Sequence, residues 1–464
     1  MQRLIVVSNR LPGTEVEIQN NGVASTLVAA LEDTAGLWIG GAEDRPSAAD
    51  LPSREGSYGR VSVGLTTEQV AGHSFLAEHA LGPVLYGRLD LAQFDQASYL
   101  AYRRVNVRFA DTVARYAVSS DSILVHDHHL IPVARELRRQ GYTVPMGFFL
   151  REPFPDPDIF AALPWARELA EDLACYDLVG FQTDECRANF QAFAEQFCGG
   201  NAAGGRLSID GSSVAVGAFP TGIDASRAQS MASSSAVDAL VRRIRTVLHG
   251  QTAIVGLERL DEVSGIHRSF SALETLFEQS PELAERICLL QVMAATPRPE
   301  LRAAAGELRA MSDCINGCFG SDDWKPVHLA HRAFTRAEKL ALLRASRIGL
   351  MARPRAGMGL AAKEYIAAQN PEDPGVLVLS QSTGAASELT DAILVDPLDD
   401  RSIAGGLRRA TEMKRDERQG RWLSMMRKVQ GNDAQRWRQR LLAAVHSAHR
   451  SNPSEAFTAR RRAH

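Results

Sequence analysis

The chain has 464 residues, 45% of them apolar, and its 52 basic and 55 acidic side chains leave a net charge of −3. That balance argues against a general nucleic-acid or anionic-membrane binder, and no apolar run nears the ~20 residues of a membrane span. At roughly 150 residues per domain, the length suggests about three compact units or two large α/β ones.

The apolar residues 4–7 are too short for a signal peptide and read as a first strand, so a cytoplasmic protein is expected. Further strand-like runs fall at 122–125, 146–150, 178–181 and 214–217, with helical patterns at 98–116, 131–140, 159–173 and 185–197 between them. A Ser/Ala-rich stretch at 223–235 reads as the break between two domains. The scheme then repeats, with strands at 253–257, 287–293, 326–331, 348–352, 376–379 and 393–395. Helices are expected at 265–278, 299–312, 336–344, 359–369 and 403–415. Residues 416–449 read as one long terminal helix and 451–464 as a basic, frayed tail. Short strands alternating with helices predict βαβ crossovers and parallel sheets, here two Rossmann-like domains at 1–225 and 226–450.

Ligands of such domains sit beyond the carboxyl ends of the strands, so residues there carry the chemistry. Arg10, leaving the first strand, suits a phosphate ester or a surface ion pair. The turn around Asn21, Gly22 and Val23 opens a helix and offers backbone N–H groups to an anion, or is a plain capping loop. His126-Asp127-His128-His129 ends the next strand. Alternation puts His126 and His128 on one side, Asp127 and His129 on the other, and sugar-hydroxyl recognition by Asp127 is preferred over a metal site. Two prolines hold Arg151 and Glu152 at a rim, or make a mere turn with an ion pair. In the second half, Arg259 and Arg298 follow neighbouring strands and form a candidate diphosphate clamp, or surface ion pairs. Gly357-Met358-Gly359-Leu360 opens a helix after a strand, presenting backbone amides at its positive end, and Glu364 lies five residues on. No acidic residue follows at the spacing a nicotinamide dinucleotide site needs. The five lysines include no GK[ST] motif, and the six cysteines make no CxxC pair, so neither a Walker loop nor a zinc site is expected.

The order of these segments resembles the trehalose-6-phosphate synthase family, retaining glycosyltransferases that join glucose from UDP-glucose to glucose 6-phosphate. The likeness runs from residue 6 to about 440. It is carried by Val7-Ser8-Asn9-Arg10, Gly36-Leu37-Trp38, Arg88-Leu89-Asp90-Leu91, His126-Asp127, residues 147–155 and 177–183, Glu258-Arg259-Leu260-Asp261, Ala362-Lys363-Glu364-Tyr365 and residues 374–388. The resemblance implies an α/β fold of two Rossmann-like domains facing across a cleft (GT-B architecture), with the sugar phosphate held by the first and UDP-glucose by the second. It assigns Arg10 to the acceptor phosphate, Asp127 to the acceptor sugar, Arg259 and Arg298 to the donor nucleotide, Met358, Gly359 and Leu360 to helix-start amides, and Glu364 to ribose. It implies neither metal nor cofactor, no nucleic-acid or membrane partner, and leaves room for a homo-oligomer. Osmotic or desiccation protection is the role that goes with it.

The departures fall on the gripping side chains. The paired glycine is Asn21-Gly22, the acceptor tyrosine and tryptophan fall on His73 and Gly82, and the histidine before the Pro-Phe-Pro turn is Arg151. The lysine beside the diphosphate is Ser264, the aspartate on donor hydroxyls is Ala356, and the asparagine after Met358 is Gly359. Three readings stay open: a weak or divergent synthase, a transferase for another donor or a cyclitol-like acceptor, and a non-catalytic relative that binds a sugar phosphate. Arg151 is the one side chain expected to replace missing positive charge on the donor.

Overall fold

The computed structural model describes residues 2–12, 22–41, 50–261, 264–294 and 301–451. The expected donor contact Arg298 and almost all of the basic tail lie outside these residues. The chain divides into two compact units, Met1–Pro220 with Ala434–His464, and Thr221–Asp433.

In the first unit the strands are β1 (Leu4–Arg10), β2 (Leu37–Gly41), β3 (Leu51–Glu55), β4 (Tyr58–Val63), β5 (Ser122–His126), β6 (Met146–Phe149), β7 (Leu178–Phe181), β8 (Asn201–Ala203), β9 (Arg206–Ile209) and β10 (Ser212–Ala218). They lie in the order β3-β4-β2-β1-β5-β6-β7-β10-β9-β8. From β4 to β10 every neighbouring pair is parallel, while β3, β8 and β9 add antiparallel margins. Leu4, Ile5, Val6 and Val7 are all buried, as expected of a strand with helices on both faces of its sheet.

The second unit holds β11 (Thr252–Arg259), β12 (Ile287–Ala294), β13 (Val327–His331), β14 (Ile348–Met351), β15 (Val376–Ser380) and β16 (Ile393–Val395), all paired in parallel in the order β13-β12-β11-β14-β15-β16. Both sheets thus contain the doubly wound order 3-2-1-4-5-6, with the direction of winding reversing between β1 and β5 and between β11 and β14. Ligand sites are expected beyond the strand ends at those two points.

Three expectations need correction. Helix 159–173 is two helices, Pro157–Ala161 and Ala166–Leu173, because Pro164 interrupts the pattern. The Ser/Ala stretch, read as the break, is helical, and the units divide just before it, between Pro220 and Thr221: Asp224 caps Ala225–Ala232 and Ser234 caps Ser235–Val247, each by accepting a backbone N–H. The terminal segment is also two helices, Arg415–Gly431 and Ala434–Arg450, separated at Asn432 and Asp433.

The second of these helices packs with the first unit instead of closing the second. Trp437 is buried, its indole N–H donates to the Phe219 carbonyl at 3.1 Å, and its ring meets Phe149 edge-on at 5.2 Å. The approach requires glycine beneath it, since a Cβ on Gly147 would lie 2.5 Å from Val445. Asp177 ties this helix to the sheet by accepting from Arg138, the Met146 N–H and His449.

Candidate active site

At the switch point of the first sheet, β1 ends on Arg10, whose side chain is exposed. The strand end is pinned by Ser8, which donates to the Arg10 carbonyl at 2.6 Å and accepts the Trp38 indole N–H at 2.8 Å. Alternation fails beyond β5. Asp127 has φ +75°, a conformation rare outside glycine, and the chain then enters a short helical turn at His128–Leu130. The Asp127 N–H still joins the ladder, donating to the Phe149 carbonyl at 2.9 Å. The turn's carbonyls are held from below: Tyr102 Oη donates to His128, His73 Nε2 and Asn106 Nδ2 lie 3.0 and 3.1 Å from the His129 carbonyl, and Tyr176 Oη donates to Leu130.

This geometry places His73 under the turn rather than on a solvent-facing wall. It is 3% exposed and stacks on Tyr102 with ring centroids 5.5 Å apart. Gly82 opens the short helix Gly82–Leu85 directly after the π-helical turn Leu76–Leu81, and nearby Tyr86 donates to Glu152.

The buried Asp127 carboxylate has a full set of partners. Its Oδ2 accepts from Nε of Arg151 at 2.9 Å and from Nη2, and its Oδ1 lies 3.1 Å from both the backbone N and Nδ1 of His128. Ligand atoms of Asp127, His128 and His129 lie within 4.8 Å of one another. A metal fits this set poorly, because it would compete with a guanidinium for the same carboxylate. The Arg151 charge, despite the cost of burial, holds the Asp127 carboxyl well below the usual range, and Asp127 raises the pKa of His128 against the same cost. Arg151, expected to serve the donor, commits two of its nitrogens to Asp127.

Burial lowers His73 to about 4 and His126 to about 3, the latter with neither ring nitrogen hydrogen-bonded among the described residues. Both are neutral when folded and protonate near 6.5 when unfolded, so the unfolded chain takes up more protons as the pH falls from 6.5 toward 4. Stability is lost over that window. His128 acts oppositely, its contribution being present below 6.5 and lost as pH rises through its folded value. Burial also lowers His129, His328 and His446, which act in the same sense as His73 and His126, so the urea midpoint is expected to be lower at pH 4.5 than at pH 7. The drop should be smaller in His73→Gln.

In the second unit, β11 ends on Arg259, whose side chain is 69% exposed and whose Nε lies 3.6 Å from Asp261. Arg353, just past β14, binds both Asp261 oxygens at 2.9 and 2.8 Å. The half-buried Glu258 carboxyl, its pKa raised by desolvation, accepts the Gly265 N–H at 3.0 Å. A Cβ on Gly265 would lie 2.8 Å from Pro354, so the loop carrying Ser264 rests on the loop that leads to Ala356. Ala356 bridges Thr383 in parallel, and its carbonyl accepts the Gly384 N–H at 2.9 Å.

Gly359 caps the helix Leu360–Ala368 at φ +60°, and a Cβ there would lie 2.7 Å from Ala385 and 2.8 Å from Thr383 Oγ1. Glycine in place of the family's asparagine keeps a left-handed start, since these two types adopt that conformation most readily. Met358 is half-buried beside it, and Leu360 begins the helix. Glu364 is buried and bonded by Arg336.

Beneath this helix, Lys363 is 1% exposed and donates to the Thr221 carbonyl at 2.7 Å and to Glu388 at 2.5 Å. Asn432 donates to the other Glu388 oxygen at 2.7 Å. Both ends of the second unit's chain are therefore fixed to the helix that starts at Gly359. Removing one partner of a buried ion pair costs about 3–5 kcal/mol. Lys363→Ala should accordingly show a clear drop in unfolding temperature by calorimetry, and Lys363→Arg a smaller one.

The structure joins Asp127 to Arg151 and His73 to the same turn in the first unit, and links Ser264 with Ala356 and Gly359 through packed loops in the second. Gly22 begins the helix Gly22–Thr34, while the Val23 side chain lies outside the described residues. Sequence reasoning did not single out Arg353, Arg336 or the Tyr86–Glu152 contact. Of these only Arg353, next to a strand end, carried a positional signal.

Two doubly wound α/β units with arginines and a glycine-started helix at their switch points define the GT-B class of architecture. The chain belongs to glycosyltransferase family 20, which it matches over residues 2–447. It is similar to the trehalose-6-phosphate synthase of Sinorhizobium fredii, 35% identical over 452 residues that cover 94% of this chain and 97% of that one. Among solved structures it is similar to the α,α-trehalose-6-phosphate synthase of Burkholderia multivorans, at 36% identity and a TM-score of 0.93, covering 97% of this chain and all of the other. It is likewise similar to the UDP-forming α,α-trehalose-phosphate synthase of Burkholderia xenovorans in complex with glucose-6-phosphate, with 33% identity, a TM-score of 0.90 and coverage of 96% and 100%. No helix among the described residues is long and apolar enough to cross a membrane.

Proposed function

We propose that this protein is a UDP-forming α,α-trehalose-phosphate synthase of slow turnover, transferring glucose from UDP-glucose to glucose 6-phosphate with retention. The observation that carries the reading is that Arg10 and Arg259, each exposed at the end of the strand beside a switch point, stand where an acceptor phosphate and a donor diphosphate are expected. In the reaction the bond from glucose C1 to the UDP oxygen breaks and the acceptor hydroxyl forms the new C1–O bond on the same face. Its proton passes to the departing phosphate. The protein's part is to orient both sugars and to stabilise charge on the leaving diphosphate through Arg259 and the N–H groups at the start of the Leu360–Ala368 helix. Buried Glu364, oriented by Arg336, is suited to accept ribose hydroxyls.

The grip is thinner than the family's. Ser264 brings no charge, Ala356 accepts no hydrogen bond through its side chain, and the Arg151 guanidinium is engaged by Asp127. These features also favour a second reading, a transferase for a different pair of substrates. The test is purified protein with glucose 6-phosphate or another sugar or cyclitol phosphate as acceptor and UDP-, ADP- or GDP-glucose in turn, following nucleotide release. Release with UDP-glucose alone supports the synthase, and turnover only with another donor or acceptor supports the second reading. No turnover with any donor contradicts both.

A further inference from the structure

We propose that Arg151 is an acceptor-specificity residue: it occupies the carboxylate of Asp127 as an internal competitor for the hydroxyls of the acceptor sugar. A carboxylate offers about four lone-pair positions. Here all four are used, two by Nε and Nη2 of Arg151 on Oδ2 and two by the backbone N–H and Nδ1 of His128 on Oδ1. A sugar hydroxyl can donate to Asp127 only by displacing one of them. The His128 backbone contact is fixed by the turn, whose carbonyls are held by Tyr102, His73 and Asn106. The Arg151 side chain is 32% exposed and comes from the neighbouring strand end, so it is the donor that a ligand meets first.

Arginine is well suited to this competition. Its planar fork brings two N–H groups, on Nε and Nη2, to a single carboxylate oxygen, whereas the histidine that the resemblance places there is shorter and carries at most one N–H on each nitrogen. Glu152, bonded by Tyr86, adds a second carboxylate whose charge favours the guanidinium there. The hydrogen-bonding capacity of the Asp127 carboxylate is thus spent inside the protein.

The inference rests on reading the first unit as the acceptor site, and the experiment separates the two. Glucose 6-phosphate is titrated calorimetrically into the parent, Arg151→His, Arg151→Lys, Asp127→Asn and the Arg151→His/Asp127→Asn pair, and KM and kcat are measured wherever turnover is detected. Thermal melts identify any variant that does not fold. Arg151→His is expected to bind at least tenfold tighter, with KM falling and kcat moving much less, and Arg151→Lys to fall between. Asp127→Asn should cost at least tenfold more in the Arg151→His background than in the parent, a coupling that a merely structural Arg151 would not produce. Binding by Arg151→His no tighter than by the parent, or equal costs of Asp127→Asn in both backgrounds, overturns the inference alone. If no folded protein of the set binds glucose 6-phosphate, the acceptor-site reading fails with it.

Discussion

Ser264→Lys combined with Ala356→Asp is expected to raise glucosyl transfer well over tenfold. Each substitution restores a side chain that the resemblance places on the donor, a cation at the diphosphate and a carboxylate at the sugar. Loss of one charged donor to a transferring group costs about a hundred- to a thousandfold in rate, and unpaired sugar hydroxyls cost about 1–3 kcal/mol. The backbone for both is already set. The Ser264 N–H bonds the Asp261 carbonyl at 3.2 Å, the adjacent Gly265 packs on Pro354, and Ala356 is fixed by its bridge to Thr383. The measurement is initial UDP release for the parent, the two single variants and the double variant. The double variant should exceed the product of the singles, because the new charges act on one ligand. No gain would mean that the loops serve another substrate.

Arg259→Ala is expected to lower transfer a further hundred- to thousandfold, the cost of removing one donor to the developing charge. Its side chain is largely exposed and its nearest carboxylate, 3.6 Å away on Asp261, is already held by Arg353, so the melting temperature should not change. A fall in kcat/KM with an unaltered melt separates a role on the diphosphate from a role in the fold. A variant as active as the parent would place the donor elsewhere.

Most parallel strands were readable because strands buried on both faces are written as continuous apolar runs, but β2 and β4, parallel as well, were missed. Residues 348–351 and 376–380 show this, and their strands end within a residue or so of where the pattern predicts. The antiparallel margins were not: β3 reads Leu-Pro-Ser-Arg-Glu and β8 Asn-Ala-Ala, sequences without an apolar face. The same limit explains the segment at 223–235, where Ser and Ala suit a linker as well as a capped helix, and only packing decides. Arg10, Asp127 and Arg259 could be picked out as candidates because strand ends are where α/β sheets keep their ligands. The Asp127–Arg151 pair could not, since it depends on β5 and β6 being neighbours in register. Nor could the reversal of alternation at Asp127, which follows from one residue with positive φ.

Whether a family 20 scaffold with a weakened grip still joins the same two sugars is read most directly by nuclear magnetic resonance of the product formed from UDP-glucose and carbon-13-labelled glucose 6-phosphate at high enzyme concentration. Two α-anomeric signals joined 1,1 through oxygen, as in trehalose 6-phosphate, are expected to accumulate in step with UDP. A different linkage, or labelled glucose 6-phosphate left unchanged while both substrates are shown to bind, would contradict that expectation.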